Sequence, residues 1–65
     1  MTKLSVKIRV ARMKLKISCA EVDRRAGLSV GMTAKLEAGV DVDPRVSTVA
    51  KLALALGVSV RSLLQ

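Results

Sequence analysis

Four breaks divide this sequence of 65 residues into short segments, and they limit its fold more than any other feature. They lie at Gly27, Gly39, Pro44 and Gly57. Glycine is typical of the left-handed residue that ends a helix, and proline of the first turn of a helix. No linker, repeat or low-complexity tract lies between the breaks. The sequence therefore predicts short helices joined by tight turns, in a single domain that covers residues 1–65.

The clearest helix signals lie on either side of Gly27. Ser18 and Glu21 have the spacing of a capping box, which predicts a helix over residues 19–26 that ends at Gly27. Ser29 is the predicted N-cap of the next helix, because its hydroxyl can accept a hydrogen bond from a free amide of the first turn.

The C-terminal third of the chain predicts two further helices. Asp43 is the expected N-cap of the first, with Pro44 at its first helical position and Gly57 at its end. Its apolar stripe consists of Val46, Val49, Leu52, Ala53 and Leu56. Ser59 then caps a last turn or two that carries Leu63 and Leu64.

The first segment, from Leu4 to Lys16, is ambiguous. Its apolar residues Leu4, Val6, Ile8 and Val10 alternate with polar ones, as they do in a strand. However, Leu4, Ile8, Ala11 and Leu15 also share one face of a helix. Periodicity alone leaves both interpretations open.

The composition excludes several functions. The chain has one cysteine, Cys19, and no histidine, so it cannot form an internal disulfide or a zinc site of the usual type. Without an activating base, nucleophilic catalysis is also unexpected. We therefore expect no enzyme activity, no cofactor and no metal. The lone cysteine and the lack of a signal peptide or a membrane-spanning run favour a cytoplasmic protein.

The charge of the chain points to a polyanionic partner. The net charge is +7, and residues 1–25 carry eight of the basic side chains against Glu21 and Asp23. Such an excess is typical of proteins that bind nucleic acid or an anionic membrane surface. The apolar residues of the first segment are not gathered on one helical face, which argues against a membrane-surface helix.

Residues 19–38 contain two short predicted helices joined by a glycine turn, the arrangement of a helix-turn-helix motif. With the segments SCAEVDRRAGLS, KLEAG and PRVSTVAKLALALGVSVRSLL, the chain resembles the Cro/repressor (XRE) family over nearly its whole length. The pattern is most similar to the phage 434-type members. The resemblance implies an all-α domain of five helices, and it resolves the first segment as a helix.

The resemblance also implies a DNA-binding site and a role in repressing transcription. In the family, the second helix of the motif lies in the major groove and the first points its N-terminus at a phosphate. The expected phosphate contacts are Lys7, Arg12, Lys16, Ser18, Cys19 and Arg45, and the expected base-facing residues are Ser29, Val30, Thr33 and Lys35. The implied partner is double-stranded DNA, bound to two-fold sites by a homodimer. Leu54, Val58 and Val60 are candidates for the dimer surface.

Several residues depart from the family pattern. Asp23 and Thr33 stand where the family has apolar residues, and both are expected to weaken the packing between the helices of the motif. Few base-facing residues can hydrogen-bond to base edges. The loop Asp41-Val42-Asp43 would repel phosphates.

These departures support an alternative hypothesis, in which the chain is an engineered or drifted sequence. Such a sequence would keep the fold without a binding function, because core and turn positions are dictated by the backbone and binding positions are not.

Overall fold

A computed structural model describes residues 3–40 and 44–64, and within them the chain is helical with no strand. The helices are α1 (Lys3–Leu15), α2 (Cys19–Ala26), α3 (Met32–Glu37), α4 (Val46–Leu56) and α5 (Val60–Leu64). The prediction of an all-α fold of five helices is confirmed. The first segment is a helix, as the resemblance implied.

The core consists of aliphatic side chains from all five helices. Its buried members are Ile8, Val22, Leu36, Val49, Leu52, Ala53, Leu56 and Leu63. Helix α1 packs against α3, α4 and α5, and α2 packs against α3 and α4. Two residues of the predicted apolar stripes lie outside this core: Leu15 is 44% exposed at the end of α1, and Val46 is 76% exposed at the start of α4.

The signals at both ends of α2 correspond to real caps. The Glu21 amide donates to Ser18 Oγ at 3.1 Å, which confirms Ser18 as the N-cap. Gly27 ends the helix with a φ of 70°, in the left-handed region that disfavours residues with a Cβ. The Ser62 amide donates to Ser59 Oγ at 3.0 Å, so the predicted cap of α5 is also present.

The predicted start of α4 is wrong. Its N-cap is Arg45, whose ψ of 152° is extended, and the helix begins at Val46. Pro44 therefore precedes the helix, where its restricted φ also suits an extended chain. Asp43, the expected cap, lies outside the described residues together with Asp41 and Val42.

The predicted cap of α3 is also wrong. Its N-cap is Gly31, with a φ of 94°, and no side chain of its own caps the helix. Ser29 contributes only its backbone carbonyl, which accepts from the Met32 amide at 3.1 Å. Ser29 and Val30 consequently lie in the turn before α3 and not on the helix itself.

Candidate nucleic-acid interface

Helices α2 and α3 and the turn between them form one packed unit, referred to below as the α2–α3 unit. The Leu28 amide donates to the Asp23 carbonyl at 2.8 Å and the Gly27 amide to the Arg24 carbonyl at 3.3 Å. These are the two hydrogen bonds of a Schellman motif, which reverses the chain directly after α2. Val22 and Leu36 are buried on either side of this turn. The geometry is that of a helix-turn-helix motif.

The Asp23 carboxylate joins the two helices of this unit. Its Oδ2 accepts from the Gly31 amide at 2.9 Å, and its Oδ1 accepts from the Thr33 amide at 2.9 Å and from Thr33 Oγ1 at 2.6 Å. Asp23 is 1% exposed and Thr33 is fully buried. The carboxylate therefore caps the N-terminus of α3 from a neighbouring helix, where a negative charge is favourable.

This network corrects two sequence-based expectations. Asp23 and Thr33 do not weaken the contact between the helices, because each polar group finds its partner in the other residue or in the α3 backbone. Thr33 was predicted to face the bases, and this is wrong: its side chain is buried and its hydroxyl donates to Asp23.

A second polar cluster surrounds Glu37 at the end of α3. Arg12 donates from Nε to Oε2 at 2.6 Å and from Nη2 to Oε1 at 3.0 Å, and Arg9 Nε approaches Oε1 at 3.4 Å. The Cys19 thiol lies 3.4 Å from Oε2. The Glu37 side chain is only 5% exposed. This cluster ties α1, α2 and α3 together.

The cluster shifts the pKa values of its members. Burial by itself would raise the pKa of Glu37, but the hydrogen bonds from Arg12 and Cys19 outweigh it and the pKa is lowered. Burial and the contact with Glu37 raise the pKa of the Cys19 thiol, so the thiol form is favoured. The hydrogen bond to Glu37 raises the pKa of Arg12. Glu37 is therefore the ionised centre of the cluster.

The structure places the predicted phosphate-contacting residues on several elements. Lys7 lies half-buried on α1, and Arg45 is exposed at the start of α4. Lys16 is exposed after α1, with a φ of 57°. Ser18 caps α2. Arg12 and Cys19 come together at Glu37, and Arg12 Nη1 also donates to the Ile17 carbonyl at 2.9 Å.

Charge on α2 is partly neutralised within the helix itself. Glu21 accepts hydrogen bonds from Arg24 and from Arg25, the latter at 2.6 Å. These bonds lower the pKa of Glu21 to about 2. Because the three side chains are at least partly exposed, this pair of contacts contributes little to stability.

The outer surface of the turn and α3 is mainly apolar. Val30 is 92% exposed. Ser29, Ala34, Lys35 and Ala38 are also exposed, whereas Met32 is half-buried. Of the four predicted base-facing residues, Ser29, Val30 and Lys35 are accessible and Thr33 is not.

The sequence analysis did not predict that Asp23 and Glu37 hold the helices of this site together. Asp23 caps a helix that begins nine residues later along the chain, beyond the reach of local capping patterns. Glu37 meets Arg12 across 25 residues of sequence. The only sequence signal for Glu37 was its place in the KLEAG segment, which resembles the corresponding segment of the family.

None of the helices among the described residues has the length and hydrophobicity required to cross a membrane. Within residues 3–40 and 44–64, no group of three or more cysteine or acidic residues is arranged to hold a metal ion.

Comparison with known proteins agrees with the geometry. A family model described as helix-turn-helix matches residues 8–63. No curated protein and no solved structure shows a significant match to the chain. The family match covers α2, α3 and α4 completely and most of α1 and α5, so it includes the α2–α3 unit. The chain therefore belongs to the helix-turn-helix family of the Cro/repressor (XRE) type, a DNA-binding and non-enzymatic family.

Proposed function

We propose that this protein binds duplex DNA as a transcriptional repressor of the phage 434 type. In this proposal the α2–α3 unit sits on the DNA with α3 in the major groove. The observation that carries the proposal is the family match over residues 8–63, which includes that unit. The net charge of +7 supports it, because phosphate neutralisation supplies most of the affinity of non-specific complexes.

The proposed phosphate contacts differ in how freely their side chains can reach DNA. Lys16 and Arg45 are exposed. Lys7 is half-buried, and we expect its ammonium group to lie at the surface. Arg12 uses three of its five N–H donors within the protein, and the remainder can still reach a phosphate. At the start of α2, Ser18 and Cys19 would contribute backbone amides, which lack partners within the helix.

The proposed base-facing residues are now Ser29, Val30 and Lys35. Only Ser29 and Lys35 among them carry a polar side chain; Lys35 can donate to guanine, and no Arg, Asn or Gln is present among the three. We therefore expect affinity to depend mainly on charge, with modest preference among duplex sequences.

A homodimer on two-fold DNA sites is part of the proposal. Leu54 is 86% exposed on α4 and offers apolar surface for such a contact. Val58 and Val60 pack against the core instead, so they are weaker candidates than the sequence suggested.

The test is fluorescence anisotropy with random-sequence duplex DNA across a range of salt concentrations. We expect affinity to fall steeply, with a log–log slope of about −0.9 for each phosphate contacted. Lys16→Gln and Arg45→Gln should each reduce the magnitude of the slope by about one. Arg61→Gln removes an exposed charge from α5 and serves as the matched control, with an expected slope like that of the wild type.

Two results would contradict the proposal. Absence of binding at low salt would favour the alternative, in which the chain retains the fold without a binding function. Equal effects of Arg61→Gln and Arg45→Gln would show that binding follows net charge alone and does not use the proposed face.

A further inference from the structure

Val30 is an apolar side chain placed where nothing in the protein covers it. It lies in the turn before α3 and is 92% exposed, the highest value among the large apolar residues that the structure describes. Ala34 is exposed on α3, and Ala38 is exposed at the C-cap of that helix. The surface that would face the major groove in the proposed function is thus mainly apolar, with Ser29 and Lys35 as its polar side chains and Lys35 as its only charge.

Three polar groups at the start of α3 are directed inward, whereas the Ser29 and Lys35 side chains are exposed. The Thr33 hydroxyl and the Gly31 and Thr33 amides all donate to the buried Asp23 carboxylate. None of these three groups can therefore serve as a hydrogen-bond donor to a base edge without breaking the contact between α2 and α3. Hydrogen-bonded readout from the centre of this segment is consequently blocked by the fold itself.

We infer that this surface recognises the C5-methyl groups of pyrimidines in the major groove, with Val30 as the principal contact. The inference rests on the proposed function and names the DNA chemistry that the same site prefers. The C5-methyl of thymine is the one apolar group that a base pair presents in the major groove. In 5-methylcytosine a methyl group is attached to the same ring carbon, so methylated G·C pairs belong to the same class of ligand.

The size of the effect follows from the area that one methyl group removes from water. Burial of a single methyl against Val30 is worth about a three- to fourfold change in affinity. Lys35 can donate to phosphates or to guanine O6 and N7, and C5-methylation changes none of these acceptors, so Lys35 should contribute equally to both members of a methylated and unmethylated pair.

The experiment compares duplexes that differ only in the C5-methyl group. One pair consists of alternating A·T and alternating A·U duplexes, and the other of alternating G·C duplexes with cytosine or 5-methylcytosine. Kd is measured at one fixed salt concentration. We expect the methylated member of each pair to bind about three- to fourfold more tightly.

Protein variants assign the effect to Val30. Val30→Ser should bind all duplexes with nearly equal affinity, whereas Val10→Ser, at a valine 46% exposed on α1, should keep the wild-type difference. Because Val30 is so exposed, its replacement should leave the fold intact, and circular dichroism checks this.

The possible failures are distinguishable from one another. If no duplex binds, the proposed function fails. If methylated and unmethylated duplexes bind equally tightly, the methyl inference fails and the proposed function stands. If Val30→Ser retains the full difference, methylation acts through DNA shape and the assignment to Val30 is overturned.

Discussion

The Glu37 carboxylate accepts hydrogen bonds from side chains on two other helices, Arg9 and Arg12 on α1 and Cys19 on α2. A buried carboxylate is stable as an ion only while such partners remain. Its lowered pKa means that the folded state binds a proton less readily than the unfolded chain. Ionised Glu37 therefore stabilises the folded state at a pH above the pKa of an unfolded glutamate, about 4.3. This stabilisation is lost as the pH falls through the lower pKa that Glu37 has in the folded state.

We expect Glu37→Gln to reduce the free energy of unfolding at neutral pH by about 3 kcal/mol, because it leaves Arg12 without its buried counterion. The loss of stability on acidification should also become shallower than in the wild type. Urea denaturation between pH 7 and pH 3 measures both effects.

Two variants serve as controls for this prediction. Glu21→Gln removes a partly exposed carboxylate at the surface of α2 and should change stability at neutral pH very little. The double variant Arg12→Met with Glu37→Leu should be more stable than Glu37→Gln, since it removes both charges. If the free energy of unfolding depends on pH in the same way in the wild type and in Glu37→Gln, the Arg12–Glu37 pair does not couple folding to pH.

Among the elements, α3 is held at both ends by side chains of other helices. It has six residues, too few to be stable as an isolated helix. Its first amides are bound by Asp23 of α2, and its last residue is Glu37 of the polar cluster. The position of α3 is therefore set by side-chain hydrogen bonds at both ends as well as by burial of Leu36.

We expect Asp23→Asn to cost about 1–3 kcal/mol of stability, although asparagine has nearly the same shape. One carboxylate oxygen becomes an amide donor that faces the Gly31 or Thr33 amide, and a buried donor is left without an acceptor. Denaturation by urea gives the free energy, and hydrogen exchange at the Gly31 and Thr33 amides locates the effect.

The cap of the neighbouring helix supplies the comparison. Ser18→Ala should cost about 1 kcal/mol and should leave exchange at Gly31 and Thr33 unaltered. If Asp23→Asn is as stable as the wild type, with unchanged exchange at both amides, Asp23 does not hold α3 in place.

The whole molecule is stabilised by a small core that contains no aromatic residue. A chain of this length buries about 60% of its unfolded surface, so each core side chain represents a large share of the total stability. Two leucines that lie two positions apart on α4 illustrate this. Leu52 is fully buried, whereas Leu54 is 86% exposed.

We expect Leu52→Ala to destabilise the protein by about 2–5 kcal/mol, enough to unfold much of a domain of this size. The same change at Leu54 should alter the free energy of unfolding by at most about 0.5 kcal/mol. Thermal unfolding followed by circular dichroism compares the two. Similar melting temperatures for both variants would mean that α4 presents a different face to the core.

Several parts of the fold could be predicted from the sequence, because their causes act over a few residues. Ser18 and Gly27 bound α2, and Ser59 caps α5, through contacts that span four residues or fewer. Local reasoning failed at the start of α4, where Arg45 occupies the N-cap position without a side-chain capping bond and Pro44 precedes the helix. Periodicity could not distinguish a strand from a helix in the first segment, and the choice there came from resemblance to a family.

The sequence by itself determined that helices follow residue 18, where α2 and α5 lie, and that the chain is strongly basic with a helix-turn-helix pattern; the helical state of the first segment came from the family resemblance. Only the tertiary structure decided the roles of Asp23, Thr33 and Glu37: the sequence suggested that Asp23 and Thr33 weaken the packing of the motif, whereas all three are buried and hydrogen-bonded in the fold. The physical reason is that their hydrogen-bond partners lie 8 to 28 residues away along the chain. A polar side chain can be buried only where such partners meet it, and the packing of three helices brings them together.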